Sequence, residues 1–470
     1  MKQLKLYIGG EWIDGTSGKF IEVENPATKE IFAKVPEGNE EDVNRAVKAA
    51  KRGYKVWKEF TPEERAERLD MAAEYLAINA DEIGDIITKE LGAPKKTVKQ
   101  WHIDSSIEEA RFFAQAARDF EYEVKKQGVV IRREPVGIVA ELTPWNFPLD
   151  QITVKLFPAL AAGNAVILKP SQKTPLSAYF VAKATQYAGF PAGVFNIVTG
   201  RGGQVGNVLA AHPEIQMVSF AGSTSAGREI GRLGLSNIKK TALELDGKSA
   251  SVILESANME YAVEDTLKKC FINSGQLCNG LTRMLVPRKK KNQIEELLKE
   301  KAAKFITGNP EDETVDMGPV INEAAFRKIK KYIEIGIDEG AAMLVGEVPE
   351  NFENGYYIKP VIFTDVTNDM TIAREEIFGP VLSVMYYDTK EEALDIANDS
   401  PYGLSGAVFG EPIQAISFAE KMETGAVHIN GAPFTVEAPF GGYKQSGIGR
   451  GNSVYSFDEY LEIKSILINK

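Results

Sequence analysis

Three side chains in the middle of the sequence could do nucleophilic or acid–base chemistry. Cys278 lies in the segment NSGQLCNG (273–280), whose Gly and Asn residues predict a tight turn with an accessible thiol. Cys270 belongs to a preceding helical pattern, and a free cysteine there is typically a small buried apolar residue. Glu244 interrupts an apolar strand pattern. Its carboxylate is either buried, as in many general bases, or directed to solvent from an edge strand, and the pattern leaves both alternatives open.

Two glycine-containing junctions could receive a phosphate group. The segment GRGGQVG (200–206) follows a strand pattern and precedes a helix, but a dinucleotide fingerprint needs Gly where Val205 stands. The segment FAGSTSAG (220–227) is a second such junction, and it lacks the Lys of a P-loop. Small residues at the start of a helix still leave N–H groups free to bind phosphate. Each junction alone is therefore a weak indication of a nucleotide site.

The elements that would position these residues follow a regular alternation. Short apolar runs separated by helical stretches predict βαβ units, and hence a parallel sheet covered on both faces; the runs are 136–142, 164–170, 193–200 and 217–222. A second alternation starts near Ser251, so we expect two α/β domains with a break near Gly247. Amphipathic patterns predict three helices before the first sheet, over Glu40–Trp57, Pro62–Ile83 and about Ile103–Phe120.

Two extended segments belong to neither alternation. Residues 122–134 resemble a hairpin, and residues 460–468 resemble a single strand. Strands without a sheet of their own either pair between subunits or form a local edge hairpin, and periodicity alone does not separate the two.

Composition excludes several classes of protein. The 470 residues include 55 Lys and Arg against 66 Asp and Glu, and the net charge of −11 argues against a nucleic-acid or anionic-membrane surface. Three His and two Cys form no zinc-binding pattern, so we expect no metal and a reducing, cytoplasmic location. We also expect no secretory signal, because no apolar region develops near the N-terminus. The longest apolar stretch, 156–168, is too short to span a bilayer.

Taken in order, seven motifs resemble those of the aldehyde dehydrogenase superfamily. They are TPWNFP (143–148), KPS (169–171), FAGST (220–224), LEL (243–245), GQLC (275–278), EIFGP (376–380) and PFGGYKQSG (439–447). The resemblance implies two Rossmann-like parallel-sheet domains with a β-strand oligomerisation extension. It assigns residues 1–116 and 136–246 to cofactor binding, 247–450 to the catalytic domain, and 117–135 and 451–470 to oligomerisation strands. It favours pairing between subunits, as a homodimer or homotetramer.

The resemblance also implies a hydrolytic oxidation of an aldehyde to its carboxylic acid with NAD or NADP. Cys278 would attack the aldehyde to give a thiohemiacetal, and loss of hydride would leave a thioester. Glu244 would activate the hydrolytic water, and Asn146 would donate a hydrogen bond to the oxyanion. An acylating relative that uses coenzyme A is disfavoured, because that branch generally lacks the Glu at position 244. A non-catalytic scaffold of the same fold is a further alternative.

By the same resemblance, a set of residues would contact the cofactor: Trp145, Lys169, Gln172, Gly222, Ser223, Gly227, Leu245, Glu376 and Phe378. The substrate pocket would contain Phe147, Asp150, Gln151, Phe434 and Phe440. This largely aromatic lining favours a simple aliphatic or aromatic aldehyde. A semialdehyde is the alternative, although Ile272 stands where succinate semialdehyde relatives place Arg.

Three positions depart from the family pattern. Gln172 replaces the Glu that is common in NAD-preferring relatives, which predicts use of both NAD and NADP. Asp246 replaces a Gly after Leu-Glu-Leu and would approach Glu244 if both side chains pointed the same way. Gly451 stands in a turn that usually contains Glu, and we expect this change to affect local packing only.

Overall fold

Two mostly parallel sheets dominate the computed structural model of this protein, which describes residues 2–469. The strands in chain order are β1 Lys2–Gln3, β2 Leu6–Ile8, β3 Glu11–Ile13, β4 Phe20–Glu24, β5 Ile31–Pro36, β6 Glu123–Lys126, β7 Val129–Pro135, β8 Ile138–Leu142, β9 Ala165–Lys169, β10 Phe195–Ile197, β11 Met217–Ala221, β12 Lys240–Glu244, β13 Ala250–Ile253, β14 Arg283–Pro287, β15 Ala342–Val345, β16 Val361–Thr364, β17 Val381–Tyr387, β18 Tyr402–Gly403, β19 Ser405–Phe409, β20 Ala426–Ile429, β21 Tyr443–Lys444, β22 Gly447–Ile448 and β23 Leu461–Leu467.

The α-helices are α1 Glu40–Trp57, α2 Pro62–Ile78, α3 Ala80–Leu91, α4 Lys95–Val98, α5 Ser105–Asp119, α6 Asp150–Ala161, α7 Ser177–Tyr187, α8 Asn207–Ala211, α9 Thr224–Leu235, α10 Met259–Phe271, α11 Lys291–Ala302, α12 Glu323–Asp338, α13 Thr371–Arg374, α14 Lys390–Asn398, α15 Pro412–Ala419 and α16 Ser456–Glu459. Shorter helical turns lie at Lys99–Asp104, Gly202–Gly206, Ile272–Gly275 and Arg288–Lys290.

The first large sheet has the strand order β22-β12-β11-β8-β9-β10-β2-β3, and β12 through β10 are parallel. Alternate residues of β8 belong to opposite apolar clusters: Val139 packs on one face, while Ile138 and Ala140 pack on the other. Helices therefore cover both faces, which explains why these strands are continuous apolar runs. The chain winds outward in both directions from β8, so a crevice opens at the carboxyl ends of the strands.

The second large sheet has the order β15-β16-β17-β14-β13-β19-β20, with only β15 antiparallel. This architecture confirms the predicted α/β fold with two Rossmann-like domains. The antiparallel strand β22 comes from the C-terminal part of the chain, yet it pairs with β12 of the first sheet. The exact domain boundaries stay a prediction.

The two extended segments form a third sheet together. β7 pairs with β6 on one side and with β23 on the other, and both pairings are antiparallel. Ile463 and Leu467 of β23 are 67% and 81% exposed. Within one chain, therefore, this sheet leaves apolar side chains in solvent.

The predicted helices are mostly reproduced. α1 spans the predicted residues, and Asn39 begins it with a capping box. The expectation of one helix over Pro62–Ile83 is wrong, because α2 ends at Ile78 and a new helix begins at Ala80. Asn79 leaves helical geometry and its side chain donates to the Tyr75 carbonyl, which interrupts the amphipathic pattern without changing its apolar face. Within residues 2–469 no helix is long and apolar enough to cross a bilayer.

Candidate active site

A cavity of about 650 Å³ lies between the two large sheets. Its walls are formed where strands β8, β11 and β12 end and where β13, β14 and β17 begin. The carboxyl ends of one sheet thus face the amino ends of the other. The lining residues used below are Trp145, Asn146, Gln151, Lys173, Gly222, Ser223, Ser225, Glu244, Leu245, Asp246, Cys278, Lys328, Tyr332, Glu375, Glu376, Phe378 and Tyr402.

The Cys278 segment is shaped by an unusual run of backbone conformations. Asn273, Ser274 and Gly275 have φ values of 51°, 57° and 73°, all in the left-handed region. Left-handed geometry costs energy for residues other than Gly, so the surrounding structure must impose it. At Gly275 a Cβ atom would lie 2.2 Å from the Gly379 carbonyl oxygen. This close approach joins the cysteine segment to the segment that carries Glu376 and Phe378.

Buried hydrogen bonds attach Asn146 to the same segment. Its Nδ2 donates to the Gln276 carbonyl at 3.0 Å, and its own carbonyl accepts from Asn273 Nδ2 at 2.8 Å. Gln276 is fixed in turn, since its Nε2 donates to the Asn273 carbonyl and its Oε1 accepts from the Ile321 N–H. An amide nitrogen carries two hydrogens, so Asn146 keeps one to donate to a substrate oxygen.

Cys278 is partly exposed to the cavity, whereas Cys270 is buried, and both are free. Burial is the main cause that raises the pKa of the Cys278 thiol from 9.0 to about 12, and the carboxylates of Glu376 and Glu244 raise it further. The sequence expectation of an accessible thiol agrees with this placement. The surroundings nevertheless keep the group protonated, because removing a proton here creates a second negative charge in a poorly solvated space.

Glu244 ends β12 and forms an ion pair with a residue that the sequence reading missed. Lys155 Nζ of α6 lies 2.8 Å from Glu244 Oε1, with side chains 3% and 13% exposed. This contact excludes the solvent-facing alternative for Glu244. Gly451 lies against the same carboxylate, since a Cβ there would be 2.8 Å from Glu244 Oε1. Position 451 therefore packs against this carboxylate, and the expectation that its change affects local packing only stays a prediction.

The sequence left open whether the Asp246 side chain points toward Glu244. In the structure it contacts other groups. Its Oδ2 accepts from the Thr224 N–H at 2.8 Å, at the first turn of α9. Its other neighbour is Glu376, whose Oε1 accepts from the Gly247 N–H at 3.1 Å. Burial first, and then the nearby Asp246 carboxylate, raise the pKa of Glu376 well above its usual range. The two carboxyl groups thus face each other with one of them favoured in its neutral form.

The opposite part of the cavity has the groups that a dinucleotide would need. Trp145 and Phe378 make an edge-to-face contact with ring centroids 5.4 Å apart. Lys173 Nζ lies 4.8 Å from the Trp145 ring centre, and burial lowers its pKa to about 8. Flat aromatic walls, an ammonium group and the first turn of α9 fit a nucleotide with its phosphates. Phe378 has a φ of 62°, in the left-handed region, so the backbone turns sharply at this residue.

Three predicted cofactor residues, Lys169, Gln172 and Gly227, are not part of the cavity wall within the described chain. Lys169 is buried, and its Nζ donates to the Pro170 carbonyl at 2.8 Å. Gly227 packs under Leu245, because a Cβ there would lie 2.3 Å from Leu245 Cδ2. Their contacts with a cofactor stay predictions.

The predicted substrate residues are only partly brought together. Gln151 lines the cavity beside Cys278 and Asn146. Phe434 and Phe440 contact each other edge-to-face with centroids 6.3 Å apart. Phe147 stacks on the buried His102 at 4.7 Å. Burial is the main cause that raises the pKa of Asp150 to about 6, so this residue is less charged than an ordinary aspartate.

The sequence analysis did not predict several residues of the site, above all Lys155, Lys173, Asn273 and Gln276. Lys155 lies inside an apolar helical pattern, and an isolated buried lysine is a signal for a paired carboxylate. The roles of Asn273 and Gln276 depend on side-chain contacts that leave no pattern in the sequence. Among residues 2–469 no group of three or more His, Cys, Asp or Glu side chains could hold a metal ion.

The chain is similar over nearly its whole length to known proteins. The chain is 41% identical to a 3-succinoylsemialdehyde-pyridine dehydrogenase of Pseudomonas sp, over 98% of both chains. It superposes with a TM-score of 0.97 on a cysteine-to-alanine mutant of Aldehyde Dehydrogenase C from Pseudomonas syringae, complexed with NAD+ and octanal, at 40% identity and covering 99% and 96% of the two chains. An aldehyde dehydrogenase of Mycobacterium tuberculosis complexed with NAD+ gives a TM-score of 0.97 at 37% identity, covering 100% and 99%.

The sequence profile described as "Aldehyde dehydrogenase family" matches residues 12–466. This match covers the second large sheet and most of the first and third sheets, and it includes every motif on which the resemblance was based. The resemblance is confirmed: this chain belongs to the aldehyde dehydrogenase family.

Proposed function

We propose that the protein oxidises an aldehyde to its carboxylic acid with NAD+ and water, releasing NADH and one proton. The observation that carries the proposal is the single cavity that Asn146, Glu244 and Cys278 line together with Trp145, Glu376 and Phe378. A nucleophile, a carboxylate and an amide donor thus share a wall with a nucleotide-sized cleft. NAD+, when bound, supplies the acceptor for the hydride.

The first step belongs to Cys278. Its sulfur forms a bond to the aldehyde carbon and loses its proton, and the carbonyl oxygen becomes an oxyanion. Asn146 Nδ2 and the Cys278 N–H donate to that oxygen; one such donor typically contributes about 3 kcal/mol. Because burial and the nearby carboxylates raise the thiol pKa to about 12 in the free protein, the proton is lost only as attack proceeds, and it leaves to solvent.

Collapse of the oxyanion expels the hydride and leaves an acyl thioester on Cys278. Glu244 then takes a proton from a water molecule, which attacks the thioester carbon. The C–S bond breaks, the acid leaves, and the proton held by Glu244 returns to the Cys278 sulfur. The Lys155 ammonium keeps the Glu244 carboxylate in place between turnovers. The presence of this carboxylate supports hydrolysis over transfer of the acyl group to coenzyme A.

The choice between NAD and NADP concerns the adenosine end of the cleft. The Pseudomonas and Mycobacterium structures contain NAD+, which supports NAD+ as a cofactor. Gln172 has no negative charge to repel a 2′-phosphate, and the Lys169 ammonium is three positions away in the sequence. We infer that the protein accepts both cofactors.

A simple aliphatic or aromatic aldehyde is the proposed substrate. Phe147, Phe434 and Phe440 supply aromatic surface, and a similar protein binds octanal. A semialdehyde is the second candidate, because a relative of 41% identity is named for one. Comparison of kcat/KM for octanal, benzaldehyde and succinate semialdehyde separates them.

We also propose that the protein is a cytoplasmic homodimer or homotetramer. The exposed apolar side chains of β23 and the free edges of its sheet support association between copies through strands β6, β7 and β23. Light scattering of the parent and of Leu467→Lys tests this; an unchanged mass in both, at the monomer value, would contradict it.

The activity is tested by following NADH formation from octanal and NAD+. Cys278→Ala should abolish turnover and leave NAD+ binding nearly intact, because the thiol forms the covalent bond but does not hold the dinucleotide. Cys270→Ala is the matched control and should keep most of the activity. Equal losses in both variants, or activity retained in Cys278→Ala, would refute the assignment.

A further inference from the structure

The Asp246 carboxylate reaches the first turn of α9. Its Oδ2 accepts from the Thr224 N–H at 2.8 Å, and the N-cap residue Ser223 accepts from the Ala226 N–H at 3.3 Å. The helix is 12 residues long, so its first-turn N–H groups carry a partial positive charge. Ser223, Ser225 and Asp246 all line the cavity. The carboxylate therefore takes up a donor that a bound phosphate would also use.

Asp246 is held in this position from its other side as well. The Ser446 hydroxyl donates to the Asp246 carbonyl at 2.7 Å, and the next residue donates its N–H to Glu376. The other charged groups that line the cavity are the carboxylates Glu244, Glu375 and Glu376 and the lysines Lys173 and Lys328, and Lys248 lies before β13. Of these, Glu376 interacts directly with Asp246.

We propose that Asp246 sets the affinity of this protein for its cofactor, by occupying the first turn of α9 and placing a negative charge beside the cofactor diphosphate. This inference rests on the proposed function, because it assumes that the dinucleotide binds in this cleft with its diphosphate near α9. Two effects oppose binding. The Thr224 N–H must exchange one acceptor for another, and the diphosphate must approach a carboxylate of like charge.

The same contact stabilises the protein without cofactor. A carboxylate at a helix N-terminus satisfies a backbone N–H and interacts favourably with the helix dipole. Removal of Asp246 should therefore have opposite effects on the two states: lower stability of the cofactor-free protein and tighter cofactor binding. A residue with a purely structural role would change only the first.

Two substitutions separate the effect of the Asp246 charge from the effect of its hydrogen bond with the Thr224 N–H. Asp246→Asn removes the charge and keeps an oxygen that can accept from the Thr224 N–H. Asp246→Gly removes both. Titration calorimetry with NAD+ should show binding tightened about fivefold in Asp246→Asn and on the order of tenfold or more in Asp246→Gly. Thermal unfolding without cofactor should give a lower Tm for Asp246→Gly and a nearly unchanged Tm for Asp246→Asn.

Two controls test whether the effect is local to the diphosphate. Glu375→Gln removes another cavity carboxylate, one that accepts from the Tyr332 hydroxyl rather than from an N–H of α9, and it should change the NAD+ affinity less. Adenosine, which has no phosphate, should bind the parent and both Asp246 variants equally. Tighter adenosine binding in the Asp246 variants than in the parent would overturn the proposal. So would an NAD+ affinity that rises as much in Glu375→Gln as in the Asp246 variants.

Unchanged or weaker NAD+ binding in both Asp246 variants, with activity retained, would also overturn this inference and leave the proposed function standing. If neither the parent nor any variant binds NAD+ or NADP+, the proposed function itself fails, and the inference fails with it. Weak NAD+ binding by the parent together with tighter NAD+ binding by the Asp246 variants supports both the inference and the proposed function.

Discussion

Lys155 Nζ lies 2.8 Å from Glu244 Oε1, and the two side chains are 3% and 13% exposed. The candidate base for the hydrolytic water is therefore ion-paired and almost enclosed before any substrate arrives. Lys155 also attracts two buried carboxyl groups, Glu141 and Asp150, whose pKa values are raised chiefly by burial.

Replacement of Lys155 should be costly for stability. Lys155→Met leaves the Glu244 carboxylate without its partner, and loss of one member of a buried pair typically costs about 3–5 kcal/mol. Because Glu244 keeps some exposure, we expect about 3 kcal/mol in the free energy of unfolding, measured in urea. The double variant Lys155→Met/Glu244→Gln should recover a large part of this loss. A double variant as unstable as the sum of the single ones would show that the pair is not coupled.

The Cys278 thiol should react slowly with alkylating agents when no cofactor is bound. With a pKa of about 12, the thiolate fraction at pH 7 is on the order of 10⁻⁵. Only the thiolate reacts, so the rate of iodoacetamide labelling should rise about tenfold per pH unit between pH 7 and pH 10. Glu244→Gln removes a nearby negative charge and should accelerate labelling. Mass spectrometry identifies the labelled residue, and a rate that levels off near neutral pH would contradict the raised pKa.

Glu244→Gln should slow deacylation more than hydride transfer. The amide cannot take a proton from water, so the thioester would accumulate on Cys278. Stopped-flow measurement of NADH should show a rapid burst of about one equivalent per site, followed by a slow steady state. Loss of the burst together with turnover would instead assign Glu244 to the first step alone.

Gln172→Glu should weaken NADP+ binding selectively. A carboxylate would repel the 2′-phosphate, whereas it can still accept hydrogen bonds from ribose hydroxyls. At an effective dielectric of about 20, a charge pair about 4 Å apart contributes up to about 4 kcal/mol before screening, so even a fraction is measurable. The ratio of KM values for NADP+ and NAD+ should rise in the variant. An unchanged ratio would show that residue 172 does not distinguish cofactors by their 2′-phosphate. Strict NAD+ use by the parent would refute the proposal that it accepts both NAD+ and NADP+.

The sequence was sufficient for the fold class and for the family. Apolar runs such as 136–142 and 164–170, separated by helical patterns, can be buried only as parallel strands with helices on both faces. The motifs around Asn146, Glu244 and Cys278 are local, and their order along the chain identifies the family without reference to contacts. Helix boundaries were less secure, as the break at Asn79 shows, because a local cap can divide one amphipathic pattern into two helices.

Tertiary structure alone decided how these residues are paired. Asp246 could have faced Glu244, its neighbour in sequence, yet it accepts from the Thr224 N–H. Glu244 at the end of strand β12 is paired with Lys155 of helix α6, and Asn146 is fixed by Gln276, 130 positions away. Hydrogen bonds and ion pairs depend on the distance between two groups in space and not on their separation along the chain. Such contacts are therefore decided by where the ends of strands and the starts of helices meet in the folded protein.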